Sequence, residues 1–465
     1  MRTIFIFLAG ILITAPAAKA QQKDSTLTLD EAIRIGVAHY ALLTSKQHAA
    51  DAAAADLQAA KKDGLPDVTL AAETAYGTLN GMNGLTSGEN GLTTLTSGPA
   101  TATQNWNAAF GSLFVTNVDW NLYSFGMQRA HVAAAAGQYE EDRLDFQQEV
   151  FQEKVRVAGA YLTLLAAQRV RRAMEDNLAR AAGLRDVIVR RTAGGLNPGV
   201  DSSIADAEVS RARLSLIDAQ NVEQAEASQL STVLGIPTKS FRLDSTYATA
   251  LPGELPGDSL DAHPLLLFLQ SRVHTSDLVA TYLQKTGLPR LNLFGVGQDR
   301  GSGFGADYAT QPADYSTSLW QGIDPYRANY LVGIGLSWDI TGLGRSRSRA
   351  RAQRFRSMAL SDDYDLERSR LSNQATLADK QLANALDKYR EVPTQLKAAQ
   401  DAYFQKEALY ENGLTNIVDV TQTLYLLNRA DIDREVSCNA VWQAILYKAS
   451  ATGDMTIFSS QKMNP

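Results

Sequence analysis

Residues 120–126 read Trp120-Asn-Leu-Tyr-Ser-Phe-Gly126, and residues 338–344 read Trp338-Asp-Ile-Thr-Gly-Leu-Gly344. Each Trp closes a run of alternating apolar and polar or small residues, and each Gly opens a long helical pattern. The correspondence extends well past these two segments. Trp120, Gly126, Arg129, Gly195, Leu196, Val200, Asp201 and Arg211 reappear as Trp338, Gly344, Arg347, Gly413, Leu414, Val418, Asp419 and Arg429, every pair 218 positions apart. A constant offset over such a length means two copies of one structural unit. Upstream, Gly64-Leu65-Pro66 and Gly287-Leu288-Pro289 lie 223 apart, so the copies differ in loop length between these points.

Each copy reads helix, strand, long loop, strand, very long helix, tight turn, return helix. In the first, a helical pattern from Asp30 to Lys62 stops at Gly64-Leu65-Pro66, because proline cannot continue a helix and restricts the residue before it. Val68, Leu70, Ala72, Thr74 and Tyr76 then alternate with Asp67, Thr69, Ala71, Glu73 and Ala75, a strand between an apolar and a watery side. In the second copy Tyr330, Val332, Ile334, Leu336, Trp338 and Ile340 alternate with mostly small or polar residues. Strands of ~10 residues with aromatic ends are the pattern of a transmembrane barrel. Trp106, Trp120, Tyr123, Trp320, Tyr330 and Trp338 are the candidate interfacial aromatics. A half-buried sheet of a soluble protein would alternate in the same way.

The helices shift the balance. Helical pattern continues from Gly126 to Ala193 and from Gly344 to Asn412, each ~100 Å at 1.5 Å per residue. Leu144, Phe151, Val155, Ala158, Leu162 and Leu165, and again Tyr364, Leu371, Ala375, Ala378, Leu382, Ala385 and Tyr389, form coiled-coil seams. The predicted organisation is a signal peptide at 1–20, a first repeat at 21–236, a connector at 237–261, a second repeat at 262–453 and a tail at 454–465. The first repeat holds strands 66–76 and 109–123 around loop 77–107, long helix 127–193 and return helix 200–235. The second holds strands 289–299 and 329–341 around loop 300–328, long helix 345–412 and return helix 417–451.

The N-terminus carries an export signal: Arg2, an apolar run from Ile4 to Ile13, and the small-residue site Ala18-Lys19-Ala20. Losing Arg2 and Lys19 with it takes the formal net charge from −6 to −8, which argues against a nucleic-acid binder. No later segment approaches ~20 uninterrupted apolar residues, so a membrane location requires strands. The single cysteine, Cys438, has no partner for an internal disulfide and reads as a small buried helix residue. His39, His48, His131, His263 and His274 are scattered, and they read as surface residues rather than metal ligands or bases. No phosphate-binding glycine loop opens a helix after a strand, so neither an enzyme nor a cofactor or metal is expected.

With these segments in order, the chain resembles the TolC-type outer-membrane channel family of efflux pumps and type I secretion. The resemblance rests on Leu27-Thr28-Leu29-Asp30-Glu31-Ala32, Leu65-Pro66, Leu288-Pro289, the two Trp-to-Gly segments and the two Gly-Leu turns. It implies a mainly α fold with β: a long coiled-coil α-helical barrel plus a transmembrane β-barrel, four strands per chain and twelve in a homotrimer. It also implies a periplasmic adaptor and an inner-membrane pump of RND or ABC type as partners, outer-membrane lipid around the barrel, and location in the outer membrane with a large periplasmic portion. Gly195, Leu196, Gly413 and Leu414 match the adaptor-contacting tips, and Asp419, Tyr410 and Asp201 match the periplasmic gate. Asp201 and Asp419 also suit ordinary helix N-caps. Gln422 and Thr415 stand where the family's gate has an acid and an arginine. The alternative from another class is a periplasmic coiled-coil structural or interaction protein without a pore. Arg345, Arg347, Arg349, Arg351, Arg354 and Arg356 read first as a solvated helix face, with inner-leaflet lipid phosphates or intersubunit carboxylates such as Glu140 and Glu141 as other partners.

Overall fold

The computed structural model describes residues 26–81, 85–88, 93–96, 100–251 and 259–459. The signal sequence, parts of the 77–107 loop, Pro252 and Pro256 of the connector, and the end of the tail lie outside the described residues. The elements run α1 (Leu29–His39), α2 (Ala41–Lys62), β1 (Asp67–Thr78), β2 (Leu85–Gly88), β3 (Thr93–Thr96), β4 (Ala108–Tyr123), α3 (Met127–Ala193), α4 (Gly199–Val233) and α5 (Thr246–Thr249). They continue with α6 (Pro264–Lys285), β5 (Arg290–Ser302), α7 (Leu319–Ile323), β6 (Arg327–Ser337), α8 (Gly342–Glu411), α9 (Ile417–Thr452) and α10 (Thr456–Ser459). The fold is mostly helical with a small sheet. Two compact units each draw on both halves of the chain: residues 44–148 with 264–369, and residues 1–43 with 149–263 and 370–465.

The first of these units holds an antiparallel sheet in the order β1-β4-β5-β6. Val68, Leu70 and Ala72 lie opposite Val118, Thr116 and Phe114. Val118 lies opposite Gly295, and Gly295 opposite Val332, so the same side runs across all four strands. That side also carries Leu291, Leu293, Ile334 and Leu336, whereas the other carries Asp67, Thr69, Glu73, Asn117, Asp119, Asn292, Gln298 and Asn329. A register shift between Asn121 and Tyr123 sets Tyr123 opposite Leu291. Strict alternation would have put Trp120 and Tyr123 on opposite faces; the bulge brings Tyr123 to the apolar one.

Three boundaries differ from the sequence pattern. The helix expected over 30–62 breaks at Tyr40, whose backbone is extended and whose ring lies 4.9 Å from the Arg156 guanidinium. The break lets α1 bury Leu29, Ala32 and Gly36. Gly36 is required there, since a Cβ would come within 2.5 Å of Val157. Strand β6 ends at Ser337, although the alternation runs on through Ile340, because its partner β5 begins only at Arg290, just after Pro289. Asp339 then accepts from the Gly342 N–H at 2.8 Å and starts α8. The loop expected over 77–107 contains the β2–β3 hairpin.

In the second unit, Val157, Tyr161, Leu162, Leu230, Leu234, Trp442 and Ile445 form a core, each side chain contributing roughly 1.5–3 kcal/mol on burial. Ala158, Leu162, Leu165, Leu371, Ala378 and Leu382 of the expected seams are buried. The connector is part of this core rather than a side element: Phe241 and Tyr247 are buried, and Leu243 bridges Leu27 in parallel. Two polar side chains inside are paired to backbone: Asn439 donates to the Leu162 carbonyl at 2.8 Å and Trp442 to that of Ala250 at 2.8 Å. Cys438 is buried on α9. His263, read from sequence as a surface residue, is buried too, with its ring edge on Phe151 and Nε2 at 3.2 Å from the Ser450 carbonyl.

Candidate functional site

The helical turns gather the charged residues that the sequence nominated. Leu184 and Ile188 of α3, Ala205 of α4, Tyr403 and Tyr410 of α8, and Val420 and Leu424 of α9 pack into one cluster. Both turns close in the same way. Gly195 has φ +76° and Gly413 φ +73°. Gly195 N–H donates to Thr192 and Leu196 N–H to Arg191, while Gly413 N–H donates to Tyr410 and Leu414 N–H to Leu409. These paired bonds terminate a helix through a left-handed residue, which only glycine adopts without strain. Leu196 and Leu414 are each 72% exposed.

Neither Asp201 nor Asp419 is the N-cap. Pro198 and Asn416 hold those positions, and the Asn416 side chain accepts from the Asp419 N–H at 3.0 Å. Both aspartates sit in the first helical turn, where a negative charge meets the positive end of the helix dipole. Their partners differ. Asp201, 9% exposed, accepts from the Tyr410 hydroxyl at 2.9 Å and from Asn197 Nδ2 at 3.0 Å. Arg191 Nε donates to Asn197 Oδ1 at 3.1 Å, and its Nη1 reaches across to the Glu411 carbonyl at 2.5 Å. One hairpin is thereby tied to the other. Burial, with the nearby Asp201 carboxylate, pushes the Tyr410 hydroxyl up to about 12. Asp419 stays within its own hairpin, accepting from Lys406 Nζ and Thr415 Oγ1, each at 2.8 Å. The Lys406 ammonium and the Thr415 hydroxyl hold its carboxyl below the usual carboxylate range.

The nominated aromatics do not form one group. Trp106 lies before β4 and Trp320 on α7, both exposed, while Tyr330 on β6 is 89% exposed. Trp120 and Trp338 have a pinning role that their spacing did not reveal: Trp120 Nε1 donates to the Gly64 carbonyl at 3.0 Å, and Trp338 Nε1 to that of Gly287 at 3.1 Å. Each ties the end of one strand to the Gly-Leu-Pro that begins its neighbour. All six arginines of the 345–356 run are exposed. Within the chain, Glu140 pairs with Arg143 and Glu141 with Arg272. Among the described residues, no group of three His, Cys, Asp or Glu converges for a metal, and no helix is long and apolar enough to cross a membrane.

The sequence profile of outer membrane efflux proteins matches residues 38–236 and 258–435. The chain belongs to the outer membrane efflux protein family. The efflux protein's fold is similar to those of solved channels. It matches the outer-membrane channel OprN with a TM-score of 0.69 at 18% identity over 91% of this chain and 89% of that one. CusC matches with a TM-score of 0.72 at 13% identity over 92% of each chain. The outer membrane protein VceC of Vibrio cholerae matches with 0.70 at 15% identity, over 92% of this chain and 96% of that one. At such identities the likeness speaks for the fold alone. A comparison with curated proteins gave no match.

As a member of that family, this chain is an outer membrane efflux protein. Sequence reasoning missed Asn197, Arg191 and Lys406. Lys406 was within reach, because folding the hairpin about Gly413 brings it opposite Asp419. Asn197 and Tyr410 are separated by 213 positions, and no periodicity connects them.

Proposed function

We propose that three copies of this channel close their sheets into one twelve-stranded barrel, leading from a helical duct that passively conducts cargo delivered by an inner-membrane pump. The observation that carries the reading is the sheet's rim. β1 and β6 are edge strands, and all twelve residues of β1 are exposed. Four strands cannot close on themselves, and unpaired backbone groups cannot face hydrocarbon. Pairing β1 of one copy with β6 of the next supplies the missing ladder and leaves the apolar face, with Tyr330, Val332, Ile334 and Leu336, to lipid. The polar face then lines water. Trp106, Trp120, Tyr123, Trp320, Tyr330 and Trp338 flank the apolar band in this reading, as amphipathic rings do at a membrane boundary.

The gate is assigned to Asp419, Tyr410 and Asp201. Tyr410 and Asp201 lock two hairpins of one protomer, and opening requires that bond to exchange for water. Asp419, with Lys406 beside it, meets the ions that pass. Gly195, Leu196, Gly413 and Leu414 are the adaptor contacts, because two exposed leucines on rigid turns offer apolar anchors. The pump is of RND or ABC type. A heat-modifiable, detergent-requiring trimer in the outer-membrane fraction is the expected behaviour of the full-length protein. Release as a soluble species by osmotic shock would overturn the barrel.

A further inference from the structure

Beside Trp338 the chain forms a cleft of about 620 Å³, lined by Thr286 to Leu288, Arg290, Ser337 to Asp339, Gly342, Arg345, Ser346 and Arg349. Three guanidinium groups face it against a single carboxylate. Asp339 already accepts from Arg345 at 2.9 Å and from the Gly342 N–H. The guanidinium groups of Arg290 and Arg349 have no hydrogen-bond or ion-pair partner among the described residues, whose side-chain pairs at this junction are those of Asp339 and Arg345. The cleft therefore holds more positive charge than the protein itself neutralises. It lies where β5 begins, β6 ends and α8 starts.

The equivalent junction of the first copy is built otherwise. At the offsets of 223 and 218, Arg290, Arg345 and Arg349 correspond to Asp67, Met127 and His131. His131 there lies 3.7 Å from Asp63 and stacks on Tyr282. The place of Ser346 is taken by Gln128, which reaches across to the Ala60 carbonyl at 2.6 Å. Ser346 is instead buried against Gly287 and donates to the Leu343 carbonyl of its own helix. Four changes of residue type at matched positions thus distinguish the second junction, and three of them line its cleft with arginine. The Trp-to-Gly bond is kept at both junctions, so the pinning of the strands does not require the arginines.

We infer that this second-copy cleft is a phosphate-binding site, with Arg290 and Arg349 as its principal ligands and Arg345 completing it. Guanidinium presents a planar fork that matches phosphate oxygens in pairs, which a lysine cannot reproduce. The start of α8 adds N–H groups and the positive end of a 70-residue helix, already used by Asp339. Two sources share the phosphate chemistry: the headgroup of an anionic phospholipid at the strand ends, and a phosphorylated solute in the adjoining water. The inference does not depend on the gate or on the pump.

The test uses the full-length assembled protein in detergent. Native mass spectrometry measures adducts of phosphatidylglycerol against phosphatidylcholine of the same chains, and calorimetry measures inorganic phosphate. Arg290→Gln/Arg349→Gln is compared with Arg347→Gln/Arg351→Gln, which removes equal charge outside the cleft. The expected result is about a tenfold loss of affinity in the first pair and less than about twofold in the second. Loss confined to phosphatidylglycerol assigns the phosphate to lipid, and loss confined to inorganic phosphate assigns it to a solute. Equal losses in both pairs, or none in either, overturn the site. If the double variant does not assemble, Arg349→Gln against Arg347→Gln gives the same comparison, because the Arg349 guanidinium has no hydrogen bond or ion pair with a described residue to break.

Discussion

The two helical turns share a backbone and differ in what their aspartates hold. Gly195 and Gly413 have nearly the same φ, the same pair of carbonyl bonds closes each α8-type and α3-type helix end, and an Asp follows six residues after each Gly. Yet Asp201 is buried and bonded to Tyr410 of the other hairpin, whereas Asp419 is half-exposed and bonded to Lys406 of its own. The difference teaches that matching sequence segments can share backbone geometry without sharing side-chain partners. The first turn supplies a fixed acceptor, and the second supplies both the Tyr that reaches it and a separately neutralised charge. In the proposed gate, the bond that opening exchanges for water lies between the two hairpins.

The comparison can be broken most strongly at Asp201. Asp201→Ala leaves the Tyr410 hydroxyl and the Asn197 amide without their buried acceptor and should cost about 2–3 kcal/mol in denaturant unfolding, with the largest rise in single-channel conductance. Tyr410→Phe should cost about 1–2 kcal/mol, and a double-mutant cycle with Asp201→Ala should show coupling of about 1 kcal/mol. Strict additivity would mean that the bond does not join the hairpins. Gly195→Ala and Gly413→Ala should each cost about 1 kcal/mol, and equally, since both force Ala into the left-handed region. A clear inequality would disprove the shared backbone.

Asp419→Ala should leave thermal stability nearly unchanged, as expected of a solvent-screened pair, while weakening block by multivalent cations in bilayer recordings. Recordings identical to those of the unmodified protein would remove Asp419 from the gate. The smallest effect is that of pH. Asp419 has a lowered carboxyl pKa, so its contribution is present at neutral pH and is lost only as pH falls through that lowered value. Tyr410 is raised to about 12, so its contribution is whole below the ordinary tyrosine range and is lost as pH climbs through the raised value. Conductance should therefore be flat between about pH 5 and pH 9. A step near neutrality would implicate a group outside both turns.

Much of the fold was legible because it depends on periodicity. Alternation at Tyr330 to Leu336 and seams such as Ala158, Leu162 and Leu165 repeat over many residues, and each repeat adds to the same conclusion. Single events were not legible. The break at Tyr40, the bulge after Asn121 and the end of β6 at Ser337 each depend on one local contact or on a partner strand's length. His263 shows the same limit, since nothing near it in sequence announces the Phe151 ring or the Ser450 carbonyl.

By itself the sequence determined the strand and helix periods, the glycine turns and the family, because these are carried by the order of residues along the chain. Only the tertiary structure decided which aspartate is buried, that Trp120 and Trp338 pin strand ends, and that arginines gather at one junction and not at the other. Those outcomes require residues far apart in sequence to meet, and identical local spacing in the two copies cannot distinguish them.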